Sequence, residues 1–328
     1  MAKPRLKELD IIRAAAISAV LLIHGTANVT VELPVGSRSQ ALYEAINMLS
    51  YFPVQLFVLL SGLVLFYRYE DNWTWNTLGQ YVRKRLMYIV VPYVVWSVLY
   101  YFGYYWLSHR SWAGISFSAF REMLLTGNAN YHLYFMVIIL QFYVLFPLFQ
   151  WISRLWRPFG HYLWAIGLAV QVAYHLYAYY QQVTVPYGDR LFITYFALFC
   201  IGGSIGLNYE RFFAWVDRNI WWVTAAATAV GFIGVLLKAT NKYGVVAMPF
   251  SYTVHFHLYP VLVFASFTWI GKWILDRRAR LAAALSSMGA ASFGIYLFHP
   301  VVQHFWYEWV DLPSAIGGYP SILPCVPG

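Results

Sequence analysis

Residues 10–30 read DIIRAAAISAVLLIHGTANVT, and this stretch decides the fold. It is long enough to cross a hydrocarbon core, which takes roughly 20 predominantly apolar residues in a helix. Lys3, Arg5 and Lys7 precede it, as basic residues precede the apolar run of a secretory leader. The run contains Arg13 and His24, however, and lacks a small-residue cleavage site. It therefore reads as a retained first span.

Working outward, eight further stretches have the same character, at about 46–68, 86–107, 132–151, 161–181, 191–207, 219–238, 250–271 and 287–310. The composition agrees. Of 328 residues, 61% are hydrophobic, 20% aromatic and only 11% charged, whereas soluble domains carry about 25% charged residues. The expected fold is an all-α integral membrane protein, a polytopic helical bundle of about nine spans with short loops. One transmembrane domain, 1–328, takes up the whole length and leaves no room for a fused soluble domain. The C-terminal Ser321–Gly328 reads as the start of another apolar segment that stops abruptly, as if a tenth helix were truncated.

Charge sets the orientation. With the N-terminus cytoplasmic, fifteen of the 22 Lys and Arg fall on inner segments, six fall on outer segments, and Arg13 lies within the first span. This obeys the positive-inside rule. It also accounts for the net charge of +9 without a nucleic-acid partner. The two cysteines, Cys200 and Cys325, have neither metal-ligand nor redox-motif spacing.

Ionisable groups inside a bilayer are costly and mark functional candidates. Arg13 and His24 are 11 residues apart, only about 20° off one helical face and about 16 Å apart in rise. Arg13 thus lies near the inner surface and His24 past the midplane, on one stripe. The ordinary alternative has Arg13 reaching down to water and pairing with Asp10, with His24 a satisfied core histidine. His109, His132, His175, His255, His257, His299 and His304 all fall in the predicted outer half, which suits proton transfer to an extracytoplasmic substrate. His255 and His257 are two apart and His299 and His304 five apart, both poor for shared ligation on a helix, so no metal is expected. Arg83, Lys84 and Arg85 precede the third span, where charge and free backbone N–H groups at a helix N-terminus would hold phosphates. The alternative there is a topology signal in contact with membrane lipids. No nucleotide-hydrolase, dinucleotide or α/β-hydrolase motif is present.

Taken together, these segments resemble the membrane-bound acyltransferase-3 family. The resemblance rests on Arg13 and His24 in the first span, Phe57–Gly62 (FVLLSG), Tyr81–Pro92 (YVRKRLMYIVVP), Tyr131–Phe135 (YHLYF) and Ser292–Pro300 (SFGIYLFHP), in order over nearly the whole chain. Gly206–Arg211 (GLNYER) is similar to the branch that modifies the poly-N-acetylglucosamine of bacterial biofilms. The family usually has one more span than the nine read here.

The resemblance implies a cytoplasmic-membrane enzyme that moves an acyl group, acetyl or succinyl, from cytoplasmic acyl-CoA to a hydroxyl of a cell-envelope polysaccharide. His24 would be the general base or a transient acyl carrier. Arg83, Lys84 and Arg85 would hold the CoA phosphates, joined by Arg13. His132 and His299 would position the acceptor or relay protons. The implied partners are acyl-CoA, a surface glycan, membrane lipids and the polysaccharide synthesis machinery. The competing function is an exporter or flippase of a glycan or lipid-linked sugar, although no paired halves with interrupted helices are visible. A purely structural subunit would leave Arg13 and His24 unexplained.

Overall fold

The computed structural model describes residues 3–309 apart from 35, 71–72, 183–184 and 243–249. The segment read as a truncated tenth helix, Cys325 included, lies outside the described residues. Among the described residues every regular element is a helix, as the sequence predicts. The chain divides into two compact units, one formed by residues 1–60 and 208–318 and the other containing 61–207.

In the first unit are α1 (Glu8–Glu32), α2 (Arg38–Leu49), the first turns of α3 (Pro53–Tyr69), and the long helices α10 (Tyr209–Lys242), α11 (Ser251–Arg277) and α12 (Ala279–Trp309). Helix α1 packs against α12, α2 and α11, while α10 packs against α11 and α2. Helix α1 stops because Pro34 forces the preceding Leu33 out of helical geometry, to φ −70° and ψ 145°. Ser37 then caps α2 by accepting from the Gln40 N–H at 3.2 Å. Pro53 opens α3, where its missing N–H costs nothing.

The second unit contains the rest of α3, then α4 (Trp75–Arg85), a π-helical turn at Leu86–Val90, α5 (Val91–His109), α6 (Phe117–Thr126), α7 (Tyr134–Leu155), α8 (Phe159–Gln181) and α9 (Phe196–Leu207). Short 3₁₀ turns at Gly188–Arg190 and Phe192–Tyr195 lead into α9. The π turn has a local cause: the ring of Pro92 would strike the carbonyl of Tyr88 in a regular helix, and the wider turn relieves that clash. The core is aromatic. Phe142 stacks on Phe199 at 4.4 Å, and Phe66 meets Phe146 edge-on at 5.3 Å. Lipid tails are as apolar as these side chains, so close packing must hold the helices together. Gly62 shows this: a Cβ there would lie 2.1 Å from the Phe199 carbonyl oxygen, so α3 reaches α9 only through a glycine.

The nine predicted segments are largely helical, the second being broken between α2 and α3, and among the described residues seven helical segments are long and apolar enough to cross a membrane. The other two differ for visible reasons. Helix α8 is diluted by Tyr162, Tyr174, Tyr177, Tyr179, Tyr180 and two histidines. The apolar segment Phe192–Leu207 is short, with its first turn spent as 3₁₀. Large apolar side chains such as Val144, Leu236, Trp221 and Trp222 are exposed, as expected of a surface that faces lipid and its interface. This is a multi-pass membrane protein.

Candidate active site

Two regular helices of the first unit carry the principal site. Helices α1 and α12 run parallel: Asp10 meets Gly289 near their beginnings, and His24 meets His299 further along. The approach at Gly289 is so close that a Cβ would lie 1.7 Å from the Asp10 carbonyl oxygen. The contact fixes the helices' separation, and with it the meeting of the two imidazoles. Their ring centroids are 5.3 Å apart and their planes 25° apart, a stacked pair.

His299 is buried at 4% exposure, and its Nδ1 lies 2.8 Å from the Tyr296 carbonyl oxygen. A carbonyl can only accept, so Nδ1 carries the proton, and whenever the ring is neutral its lone pair is on Nε2. A hydrogen-bonded imidazole with a defined tautomer, stacked on a second imidazole, can receive and pass on a proton. Sequence spacing alone does not place these two residues together.

At the other end of the stripe, Asp10 is buried and holds two cations. Its Oδ1 accepts from Arg13 Nη1 at 2.9 Å and its Oδ2 from Arg5 Nη2 at 2.6 Å. The Asp10 pairing anticipated for Arg13 is therefore real, yet the Arg13 side chain keeps 31% exposure and with it the capacity to meet an anion. Beside it, Tyr209 Oη donates to Glu8 Oε1 at 2.5 Å, and Lys272 Nζ sits 3.9 Å from the same oxygen and 3.3 Å above the Phe213 ring. These contacts tie α10 and α11 to α1, so the charged end of the stripe is braced by two further helices. Tyr209, noted in the sequence only as part of GLNYER, is the residue that makes this brace.

In the second unit the structure places the remaining predicted residues in two groups. His132, buried at 2% exposure, donates from Nδ1 to Asn130 Oδ1 at 3.2 Å. The amide nitrogen of Asn130 is 3.4 Å from Tyr104 Oη, and the Tyr100 ring stands edge-on to the imidazole at 5.4 Å. Asn130, two residues before His132, carries no sequence motif that marks the bond, and Tyr100 reaches the imidazole from a separate helix.

Arg83, Lys84 and Arg85 form the other group, and here one expectation is corrected. They occupy the last turn of α4, which begins at Trp75 behind the Thr74 cap and continues through the π turn into α5. Backbone N–H groups at that position are engaged in the continuing helix, so phosphate binding there would depend on side-chain charge alone. The three side chains also part company. Arg83 and Lys84 are exposed. The Arg85 guanidinium lies 4.4 Å from the Tyr143 ring centre and 5.2 Å from that of Tyr81, while Tyr81 Oη donates to the Tyr143 carbonyl at 2.8 Å.

Other histidines have structural partners. His109 stacks on Tyr105 at 4.3 Å, His175 meets Gln171 at 3.1 Å, His255 stacks on Tyr259 at 5.2 Å, and His257 meets the Thr253 carbonyl at 2.8 Å. Among the described residues no group of three or more His, Cys, Asp or Glu is placed to hold a metal ion.

Comparison with known proteins bears on what this arrangement does. The acyltransferase-3 family model, described as an acyltransferase domain, matches residues 6–326. A Staphylococcus aureus protein named as a probable poly-beta-1,6-N-acetyl-D-glucosamine export protein is 23% identical over 324 residues, 95% of this chain and 86% of its own length. A Staphylococcus epidermidis protein of the same name is 25% identical over 315 residues, 93% of this chain and 83% of its own. No solved structure matches.

Proposed function

Because the chain belongs to the acyltransferase-3 family, we propose that it transfers an acyl group, acetyl or succinyl, from acyl-CoA to a hydroxyl of a cell-envelope polysaccharide, working from the cytoplasmic membrane. One observation carries this reading: the Arg13–His24 stripe of α1 is held against α12 so that His24 stacks on His299.

His24 takes the proton of the acceptor hydroxyl as its oxygen attacks the thioester carbonyl. The carbon–sulfur bond breaks, the ester forms, and the departing CoA thiolate takes up a proton from the imidazolium, returning His24 to its neutral form. His299, with its tautomer set by Tyr296, is the adjacent relay. Arg13 meets the donor's negative charge at the predicted inner end, with Asp10 fixing its direction. Arg83 and Lys84 add exposed positive charge for the CoA phosphates. His132 is assigned to the acceptor. The acceptor glycan, acyl-CoA, surrounding lipids and the machinery that makes the polysaccharide are the partners this reading requires.

A second reading is favoured by the relatives' names, which specify export of poly-β-1,6-N-acetylglucosamine. One experiment divides the two: NMR of surface polysaccharide from a deletion strain carrying the wild-type gene or His24→Ala, at matched membrane levels. Acyl transfer predicts loss of O-acyl groups in the deletion and the variant with glycan quantity held. Loss of surface glycan with acylation per sugar unchanged would establish export instead.

A further inference from the structure

We propose that Arg190 is a positioning residue for the acceptor side of the reaction. It clamps the turn that carries Asn130 and His132, and its role in turnover rests on the acyl-transfer reading above. In the sequence Arg190 is merely an outer arginine, in the minority against the positive-inside bias. In the structure it is the centre of a small network inside the second unit. Its Nη1 donates to the Thr126 carbonyl and to Asn128 Oδ1, both at 2.6 Å. Both acceptors belong to the stretch that closes α6 and leads to His132. The turn runs through Gly127 at φ 74°, the Asn128 N–H bonds back to the Met123 carbonyl at 2.8 Å, and the Leu133 N–H bonds to the Asn130 carbonyl at 3.1 Å.

Arg190 is itself anchored to α7. Gln141 Nε2 donates to the Arg190 carbonyl at 2.7 Å, and Gln141 Oε1 accepts from the Phe192 N–H at 3.1 Å. The guanidinium also lies 4.8 Å from the Tyr187 ring centre, with Asp189 Oδ2 3.8 Å from its Nε. The side chain is 19% exposed, so these charge-assisted bonds are largely shielded from water. The chain of contacts therefore runs from Gln141 on α7, through Arg190, to Asn128, two residues before Asn130, whose Oδ1 orients His132.

The test uses the full-length protein in lipid nanodiscs, with acetyl-CoA as donor and a β-1,6-linked N-acetylglucosamine oligosaccharide as probe acceptor. Arg190→Ala should raise the acceptor KM by roughly tenfold, the loss expected for a hydrogen bond to a charged group. Arg190→Lys should recover part of that loss, and kcat and the donor KM should hold. A second readout needs no turnover: the labelling rate of Tyr131→Cys by a membrane-impermeant maleimide in a Cys325→Ser background. Tyr131 is exposed and sits within the clamped turn. Arg190→Ala and Asn128→Ala should each accelerate that labelling roughly tenfold by the same hydrogen-bond loss, with Ser111→Cys, on a separate exposed loop, unchanged. Equal acceleration at both cysteines, or none at Tyr131→Cys, overturns the clamp. If the wild-type protein transfers no acyl group while the labelling contrast appears, the clamp stands and the functional reading falls.

Discussion

The α1–α12 pair and the turn from Thr126 to Leu133 both hold a histidine in place, by opposite means. In the pair, two parallel helices meet closely at Gly289, and their continued packing brings His24 against His299. In the turn, His132 bonds to Asn130 two residues before it, and the turn that carries both is held by hydrogen bonds from residues distant in sequence. The first device is rigid and intolerant of bulk. The second is a set of separable bonds that fail one at a time. Substitutions should therefore fall into an all-or-none class in the pair and a graded class in the turn.

The largest effect should come from Gly289→Leu. A Cβ 1.7 Å from the Asp10 carbonyl oxygen cannot be accommodated by a rotamer change, because the obstacle is backbone. Helices α1 and α12 must separate, with an overpacking cost of about 1–3 kcal/mol or more, and the His24–His299 stack is lost with them. The expected outcome is a lower unfolding temperature in detergent together with complete loss of O-acylation. A Gly289→Leu protein with wild-type activity would show that the stack is irrelevant to function.

Next in size is His24→Ala, which leaves the helix contact alone. Removing a general base costs about 10²–10⁴ in rate, so acyl transfer in membranes should fall to near background while thermal stability and acyl-CoA binding hold. His299→Ala should fall between His24→Ala and wild type, since a relay can be bypassed by water and the base itself remains. Equal losses for the two would mean that they act as one unit, and a double variant no worse than either single one would confirm it.

The contrast between the two devices also explains what can be read from sequence. Helical periodicity alone puts Arg13 and His24 on one face, because both lie on an uninterrupted helix. It cannot bring His299 to His24, since that contact depends on how α12 packs against α1 where Gly289 meets Asp10. The basic triplet is legible as charge, but its place in a helix is not. That helix begins at Trp75, where the local signal is the Thr74 cap, and the triplet closes it instead of opening the next. Arg190 and Gln141 are hidden because their partners lie 49 to 64 residues away in the chain.

Asp10→Ala should give a smaller, donor-side effect. It removes the acceptor that directs Arg13 and leaves Arg5 and Arg13 without their shared carboxylate. Arg13 is partly exposed, so water screens much of the loss, and an increase of about tenfold in the acyl-CoA KM corresponds to ~1.4 kcal/mol. Asp10→Glu should restore part of it, measured as donor KM against kcat at constant acceptor.

The smallest effects should divide the basic triplet itself. Arg83 and Lys84 are exposed and act through charge alone, so alanine at either should raise the donor KM by about two- to threefold, the range typical of exposed ion pairs. That increase should shrink as salt shortens the Debye length from about 10 Å at 0.1 M to about 3 Å at 1 M. Arg85 faces the Tyr81 and Tyr143 rings, and a partly desolvated cation–π contact is worth about 0.5–2 kcal/mol. Arg85→Ala should therefore lower the unfolding temperature, with a change in donor KM that salt does not erase. If all three variants instead behave alike, with the same salt-sensitive KM and no change in stability, Arg85 leaves its aromatic slot when the donor binds, and the triplet works as one anion-binding surface.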